Sequence, residues 1–358
     1  MEGLVVKPLF WRDKSILVTG HTGFKGGWLA HWLSSLGAKV HGFSLPPPTP
    51  TNFFTETRLI ERIEASTYGD IRDPVEMKKV MKISKPDIVF HLAAQPLVRE
   101  SYNIPVETFF TNVMGTLNVL EACRGSESVR AIVNVTTDKC YENKEWHWCY
   151  RENDPLGGYD PYSASKACAE IATAAYRDSF FTRTGQWLAS ARAGNVIGGG
   201  DWAVDRLIPD FLRAIDACEP LKIRSPNAVR PWQHVLEPLS GYLALAEKLY
   251  ESGAGYADSW NFGPSDEDAK PVRWIVEMLC RRAPGARWLE LDEPKPHEAG
   301  LLKLDSSRAR ALLGWAPRWN LEAALVKTVE WHQAWRADQD MAATTSQQIQ
   351  AYMANESV

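Results

Sequence analysis

Residues 14–26, KSILVTGHTGFKG, set a buried-strand pattern directly against a glycine-rich turn. Lys14–Gly20 reads as a first strand, because Ile16, Leu17 and Val18 run without a polar break, as in a strand covered on both faces. Gly20, Gly23 and Gly26 follow at a spacing of three. Trp28, Leu29, Trp32, Leu33 and Leu36 then recur at helical spacing, and Gly37 is a fitting stop. A strand that passes through such glycines into a helix is the entry to a dinucleotide site. Glycine is needed where the backbone turns tightly, where it meets a pyrophosphate and where helix packs on strand. The amides at the helix start face the phosphates, and the helix dipole favours their charge.

Outward from this segment the same alternation continues. Strands are expected at Lys39–Ser44, Asp87–Ala93, Ala131–Val135 and Trp187–Arg192, and helices at Val106–Cys123, Tyr162–Phe180, Ala203–Cys218 and Pro238–Glu251. The pattern predicts an α/β fold, a Rossmann-type doubly wound parallel sheet over residues 1–195. A smaller, less regular C-terminal lobe over 196–345 is expected to bind substrate, with some segments returning to the first domain. The polar residues 346–358 read as a tail, the end of a frayed helix.

The 358 residues are 45% hydrophobic and 23% charged, which excludes a disordered, collagenous or coiled-coil chain. Lys+Arg 40 against Asp+Glu 44 gives −4, so no excess positive charge points to nucleic acid or an anionic membrane. No apolar run reaches the roughly eighteen residues of a membrane span. The opening MEGLVVKPLFWRDK lacks the apolar run of a signal peptide. The six cysteines form no CxxC pair and no metal-like spacing with histidine, so reduced thiols in a cytoplasmic protein without a metal are expected. The 15 tryptophans scatter without a repeat and read as core or cleft walls.

The acid that grips an adenosine ribose belongs about twenty residues beyond the glycines, at the end of the second strand. That strand ends Gly42-Phe43-Ser44-Leu45, without Asp or Glu. The dinucleotide is therefore expected to bind loosely with a weakened rejection of a 2′-phosphate, which His21 and Lys25 are positioned in sequence to favour. Asp70, in Tyr68-Gly69-Asp70-Ile71, can receive an adenine amino group or be an ordinary loop acid.

Asp160-Pro161-Tyr162-Ser163-Ala164-Ser165-Lys166 carries the chemistry. Asp160 and Pro161 suit a helix start, which puts Tyr162 and Lys166 on one face four residues apart. An ammonium beside a phenol, with the positive helix end, is expected to lower the phenol pKa towards neutrality. Such a tyrosine can take a proton from an alcohol.

Together the glycine loop and the Tyr–Lys helix resemble the extended short-chain dehydrogenase/reductase family over nearly the whole chain. His91-Leu92-Ala93-Ala94-Gln95, Thr111-Asn112-Val113-Met114-Gly115-Thr116, Asn261-Phe262-Gly263 and Leu313-Gly314-Trp315 fit as well. The family acts mostly on nucleotide-diphosphate sugars. The resemblance implies that Gly20, Gly23, Phe24, Lys25, Gly26, Asp70, Ile71, Leu92, Ala93, Thr111, Tyr162 and Lys166 hold the dinucleotide. It also implies a homodimer built on the 106–123 and 162–180 helices.

Thr136-Thr137-Asp138-Lys139-Cys140-Tyr141 narrows the reaction. Sugar-nucleotide 4,6-dehydratases of the family place Thr-Asp-Glu here. An acid lets hydroxide leave as water, and a base removes the proton at carbon five once carbon four is a ketone. Asp138 fits the acid; Lys139 stands where Glu is usual and must be partly neutral to serve as the base. An epimerase needs no acid at carbon six, and cofactor-sensing members characteristically lose the Tyr–Lys pair. Thr137-Asp138-Lys139-Cys140-Tyr141-Glu142, residues 156–162, 192–202 and Arg230-Pro231-Trp232-Gln233-His234-Val235 look like the branch that uses NAD to dehydrate CDP-glucose. In that reading Thr137 holds the carbon-four hydroxyl, and Arg192, Asn195, Arg230 and His297 are the candidate substrate contacts.

Overall fold

The computed structural model describes residues 6–283, 285–291 and 300–354. Its centre is a seven-stranded sheet of β1 (Ser15–Thr19), β2 (Lys39–Ser44), β3 (Ala65–Tyr68), β4 (Ile88–His91), β5 (Ala131–Val135), β6 (Trp187–Ala193) and β7 (Ser259–Phe262). The order is β7-β6-β5-β4-β1-β2-β3, and every neighbouring pair is parallel. This is the expected doubly wound sheet, with β3 and β7 added. Neither had a strong sequence signal: Ala-Ser-Thr-Tyr is a polar edge strand, and Ser-Trp-Asn-Phe is too short to show a period.

β1 pairs with β2 on one side (Ser15 opposite Lys39) and with β4 on the other (Ile16 opposite Ile88). The chain order reverses at this point, so a crevice opens beyond the carboxyl ends of β1 and β4. Alternation along β1 feeds two cores. Ile16 and Val18 face one side with Trp28, Trp32 and Leu243, while Leu17 faces the other with Val89, Ile132 and Leu188. A third core, including Ile208, Phe211, Leu221, Ile275 and Leu325, holds the second lobe.

Two sequence expectations change. The helix across 105–124 is interrupted by a π-turn at Phe110–Gly115. The end of the described chain is not frayed: Met341–Ala354 is a helix, and its Met341, Thr345, Ile349 and Tyr352 form a buried stripe. Four apolar or small side chains at helical spacing suffice to dock an otherwise polar segment. The Tyr352 hydroxyl then donates to buried Glu237 at 2.7 Å.

Candidate active site

The turn after β1 is shaped by two glycines. Gly20 has φ +80°, and a Cβ there would lie 2.8 Å from the Ala93 amide nitrogen. A Cβ on Gly26 would overlap the Gly20 carbonyl oxygen. The neighbouring turn after β4 is fixed by Thr19, whose hydroxyl accepts from the Leu92 and Ala93 amides at 3.2 Å each and meets His91 Nδ1 at 2.7 Å. Gly23 caps the Phe24–Ser35 helix with no side chain across its amides, which leaves them open to the cavity. This bare cradle fits a pyrophosphate and hence the NAD implied by the motif.

The cavity, about 1040 Å³, runs from this loop into the second lobe. At its dinucleotide end it is lined by Ser44, Asp70, Ile71, Leu92, Ala93 and Thr111, so these expected contacts come together with Phe24 and Lys25. Asp70 is already engaged: Arg72 Nη2 donates to it at 2.6 Å and the Arg72 amide at 2.8 Å. At the end of β2, Ser44 meets Thr22 hydroxyl to hydroxyl at 2.8 Å.

The two residues expected to favour a 2′-phosphate do not stand there. His21 is fully buried, its ring against Gly42 and its Nε2 2.7 Å from Ser66 Oγ; burial pushes its pKa down to about 4. Lys25 points inward, 3.4 Å from the Tyr242 hydroxyl. Burial, with Arg206 and Lys166 adding repulsion, pushes Lys25 down to about 7.

The catalytic candidates converge at the carboxyl ends of β5 and β6. Thr137 caps the Asp138–Cys140 turn and its hydroxyl donates to Asp138 Oδ1 at 2.9 Å. Lys139 Nζ reaches the same oxygen at 3.2 Å and Asn195 Oδ1 at 3.1 Å. Asp138 is fully buried beneath the cavity wall; a Cβ on Gly194 would lie 3.1 Å from its Oδ2, which has no hydrogen-bond partner. Tyr162 and Lys166 lie as expected on the first turns of the Pro161–Ser179 helix, capped by the Asp160 carboxylate, which accepts from the Ser163 amide at 2.9 Å.

Their electrostatics differ from the sequence expectation. The Tyr162 phenol is pushed up to about 12, not lowered: burial outweighs a hydrogen bond with Thr137, Asp138 adds repulsion, and Arg206 opposes it. Lys166 donates to the Val135 carbonyl at 3.4 Å, and burial pushes it down to about 8. At about 8 the lysine stays mostly charged at neutral pH, yet that charge does not offset the burial of the phenol.

Arg192 is a correction. It does not face the cavity but forms a buried ion pair with Glu170 at 2.7 Å. Its other nitrogen donates to the Tyr141 hydroxyl at 2.8 Å, while Glu170 accepts from Thr136 and, at 2.7 Å, from Ser190. The pair braces the turn that carries Thr137 and Asp138 from below. Arg230 and Asn195 do line the cavity. His297 lies outside the described residues.

Sequence reasoning missed Arg206 and Asp210. Arg206 lines the cavity, is held by Asp201 at 2.9 Å and is close enough to favour the Tyr162 phenolate. The signal available was its place just before the apolar helix Leu207–Asp216. Among the described residues no group of His, Cys, Asp and Glu could hold a metal ion.

Comparison with known proteins places this geometry. The chain is 53% identical over 350 residues to a CDP-glucose 4,6-dehydratase of Salmonella typhimurium, covering 96% of this chain and 97% of that one. It is 28% identical to a dTDP-glucose 4,6-dehydratase of Neisseria meningitidis, covering 89% and 93%. Among solved structures, the epimerase Mth375 of Methanothermobacter thermautotrophicus shares the fold with a TM-score of 0.79 at 23% identity, covering 93% of this chain and 97% of that one. A Bacillus anthracis dTDP-glucose 4,6-dehydratase in complex with NAD matches with a TM-score of 0.73 at 21% identity, covering 91% and 99%. The profile of the GDP-mannose 4,6 dehydratase family matches residues 17–328, from β1 to the helix Leu321–Arg336, and the chain belongs to that family.

Proposed function

We propose that the protein is a CDP-glucose 4,6-dehydratase that uses NAD, a hydro-lyase forming CDP-4-keto-6-deoxyglucose. The observation that carries this reading is the Asp138–Lys139 contact beside Thr137 and Tyr162, an acid and a base within one turn. The near full-length relative of that name supports the cytidine preference. NAD, when bound, would supply a reversible hydride acceptor for oxidation at carbon four and reduction at carbon six.

The chain's own groups move the protons. The phenolate form of Tyr162, scarce at a pKa of about 12 and favoured by Arg206, takes the proton of the carbon-four hydroxyl, which Thr137 orients. Transfer of one proton from Lys139 to Asp138 along their 3.2 Å contact makes a neutral amine and a neutral acid together. The amine removes the carbon-five proton, and the acid, which does not itself line the cavity, protonates the carbon-six hydroxyl through the Thr137 hydroxyl as it departs as water. Lys139 later returns its proton to carbon five. Tyr162 then holds one proton too many and Asp138 one too few. Thr137, bonded to both, is the path that restores them. Lys166 would hold the nicotinamide ribose, and Asn195 and Arg230 the diphosphate.

We place the enzyme in the cytoplasm as a homodimer. All the described cysteines are free thiols, and no described helix is long and apolar enough to cross a membrane. The test is incubation with CDP-glucose and NAD followed by mass spectrometry. Loss of one water, with NAD regenerated, is expected; an unchanged mass or a simple 4-epimer would overturn the reading.

A further inference from the structure

We infer that Asp210 selects the nucleobase, its carboxylate accepting a hydrogen bond from the 4-amino group of cytosine. The inference rests on the sugar-nucleotide reading above. With glucose at Tyr162 and the diphosphate near Asn195 and Arg230, the base must lie at the remaining end of the cavity. That end is built from the first turn of the helix Leu207–Asp216 and the strand Leu221–Ile223, and Leu207, Leu221 and Ile223 give it apolar walls. Asp210 is the carboxylate within that apolar wall.

Its orientation is fixed before any ligand arrives. Arg213, one turn on, binds Asp210 Oδ1 and is itself anchored on the carbonyls of Trp202 at 2.9 Å and Ala203 at 3.2 Å. A carboxylate held by one oxygen keeps acceptor capacity on the other. The nearby Asp205 is the weaker acceptor, because two guanidinium groups, Arg99 at 2.8 Å and Arg224 at 3.3 Å, share and neutralise its charge, whereas Asp210 is held by Arg213 alone.

The chemistry separates the pyrimidines. Cytosine presents an amino donor at position four, the group that Asp and Glu accept from in base recognition. Uracil and thymine present an oxygen there, so two acceptors would face each other with no proton between them. The same carboxylate therefore attracts one base and repels the others. A hydrogen bond to a charged group of this kind corresponds to about ten- to a hundredfold in affinity.

Two measurements test it. In Asp210→Asn, kcat/KM for CDP-glucose should fall about ten- to a hundredfold, while that for UDP-glucose stays level or rises, with the melting transition showing a folded protein. On the unchanged holoenzyme, the diphosphate of a pyrimidin-2-one nucleoside, which lacks the 4-amino group, should compete at least about tenfold less well than CDP. Equal losses for both sugars in a folded variant would overturn the assignment, as would undiminished competition by the pyrimidinone. If the unchanged enzyme fails on CDP-glucose altogether, the function proposed above is what fails; if it prefers CDP-glucose and Asp210→Asn keeps that preference, only the role of Asp210 does.

Discussion

Lys139 and Asp138 are adjacent in sequence yet differ in access: the Asp138 side chain is fully buried, while that of Lys139 keeps 28% of its surface. Asp138 is thus held under the cavity wall, and Lys139 reaches the cavity wall between Asp138 and Asn195, as the roles proposed for them require. A glutamate at position 139 would place two carboxylates side by side, whereas the lysine forms an ion pair with Asp138. General acid–base groups contribute about a hundredfold or more. Lys139→Met should therefore slow dehydration at least about a hundredfold while leaving the first oxidation possible. Reduced cofactor should build up after CDP-glucose is added, seen as its near-ultraviolet absorbance. Tyr162→Phe should show neither dehydration nor build-up. Near-normal dehydration by Lys139→Met would reduce Lys139 to a neighbour of the reaction.

At the scale of elements, β2 ends in a hydroxyl where dinucleotide-binding strands usually end in an acid. Ser44 and Thr22 face each other at 2.8 Å, and Thr22 also donates to the Leu45 carbonyl at 2.9 Å. Losing a charge-assisted bond costs about 1.5–3 kcal/mol, or one to two powers of ten in affinity. The protein as purified should need added NAD, and Ser44→Asp should tighten NAD about tenfold or more in calorimetry without tightening NADP. Recovery of stoichiometric, non-exchanging NAD with the unchanged protein would contradict this. The β1 turn and the Tyr162–Lys166 helix were legible in the sequence because each is a local pattern, a strand running into glycines and a helix start with its cap. Which arginine faces the cavity was not. Along β6, Leu188, Ser190 and Arg192 share one face and Ala189, Ala191 and Ala193 the other. Only the packing of the Pro161–Ser179 helix, which brings Glu170 over that first face, shows that Arg192 is consumed by structure. Period-two reading of β6 gives the shared face but not what covers it.

At the scale of the whole molecule, tryptophans tie later segments of the chain onto the first core. Trp28, on the helix after the glycine turn, donates to the Gly199 carbonyl at 2.9 Å. Trp202 meets Trp331 and Trp335 edge-on at 5.8 and 5.3 Å. The 199–202 loop is thereby tied to the helix after the glycine turn. One apolar surface is left over: Val106 is 81% exposed and Ile171 58%, with Phe110 and Met114 also exposed. Contiguous exposed apolar residues of this kind mark an interface, and light scattering at micromolar concentration should give a dimer; a monomeric mass would contradict it. Leu120, further along the same stretch, is instead buried in the chain's own core.

The same dense interior sets the pH range of the fold. Burial pushes His21 and His31 down to about 4 and His91 and His234 to about 3, from an ordinary 6.5. Burial pushes Glu237 and Glu247 up to about 7, from an ordinary 4.5. Between these limits the unfolded chain binds more protons at the histidines, so each makes stability fall on acidification by about 1.4 kcal/mol per pH unit. The two glutamates bind protons more tightly when folded, so between pH 7 and 4.5 they act in the opposite sense and offset part of the loss. Below about 4.5 their contribution is complete while the histidines still titrate. Stability should therefore decline gently from pH 6.5 to 4.5 and steeply below, read as the urea midpoint at successive pH values. His31→Gln, which keeps a polar group beside Ser346, should lessen the decline between pH 6.5 and 4 by about one group's share. A midpoint unchanged from pH 6.5 to 4 would mean that these histidines are solvated in the folded state, contrary to the packing described.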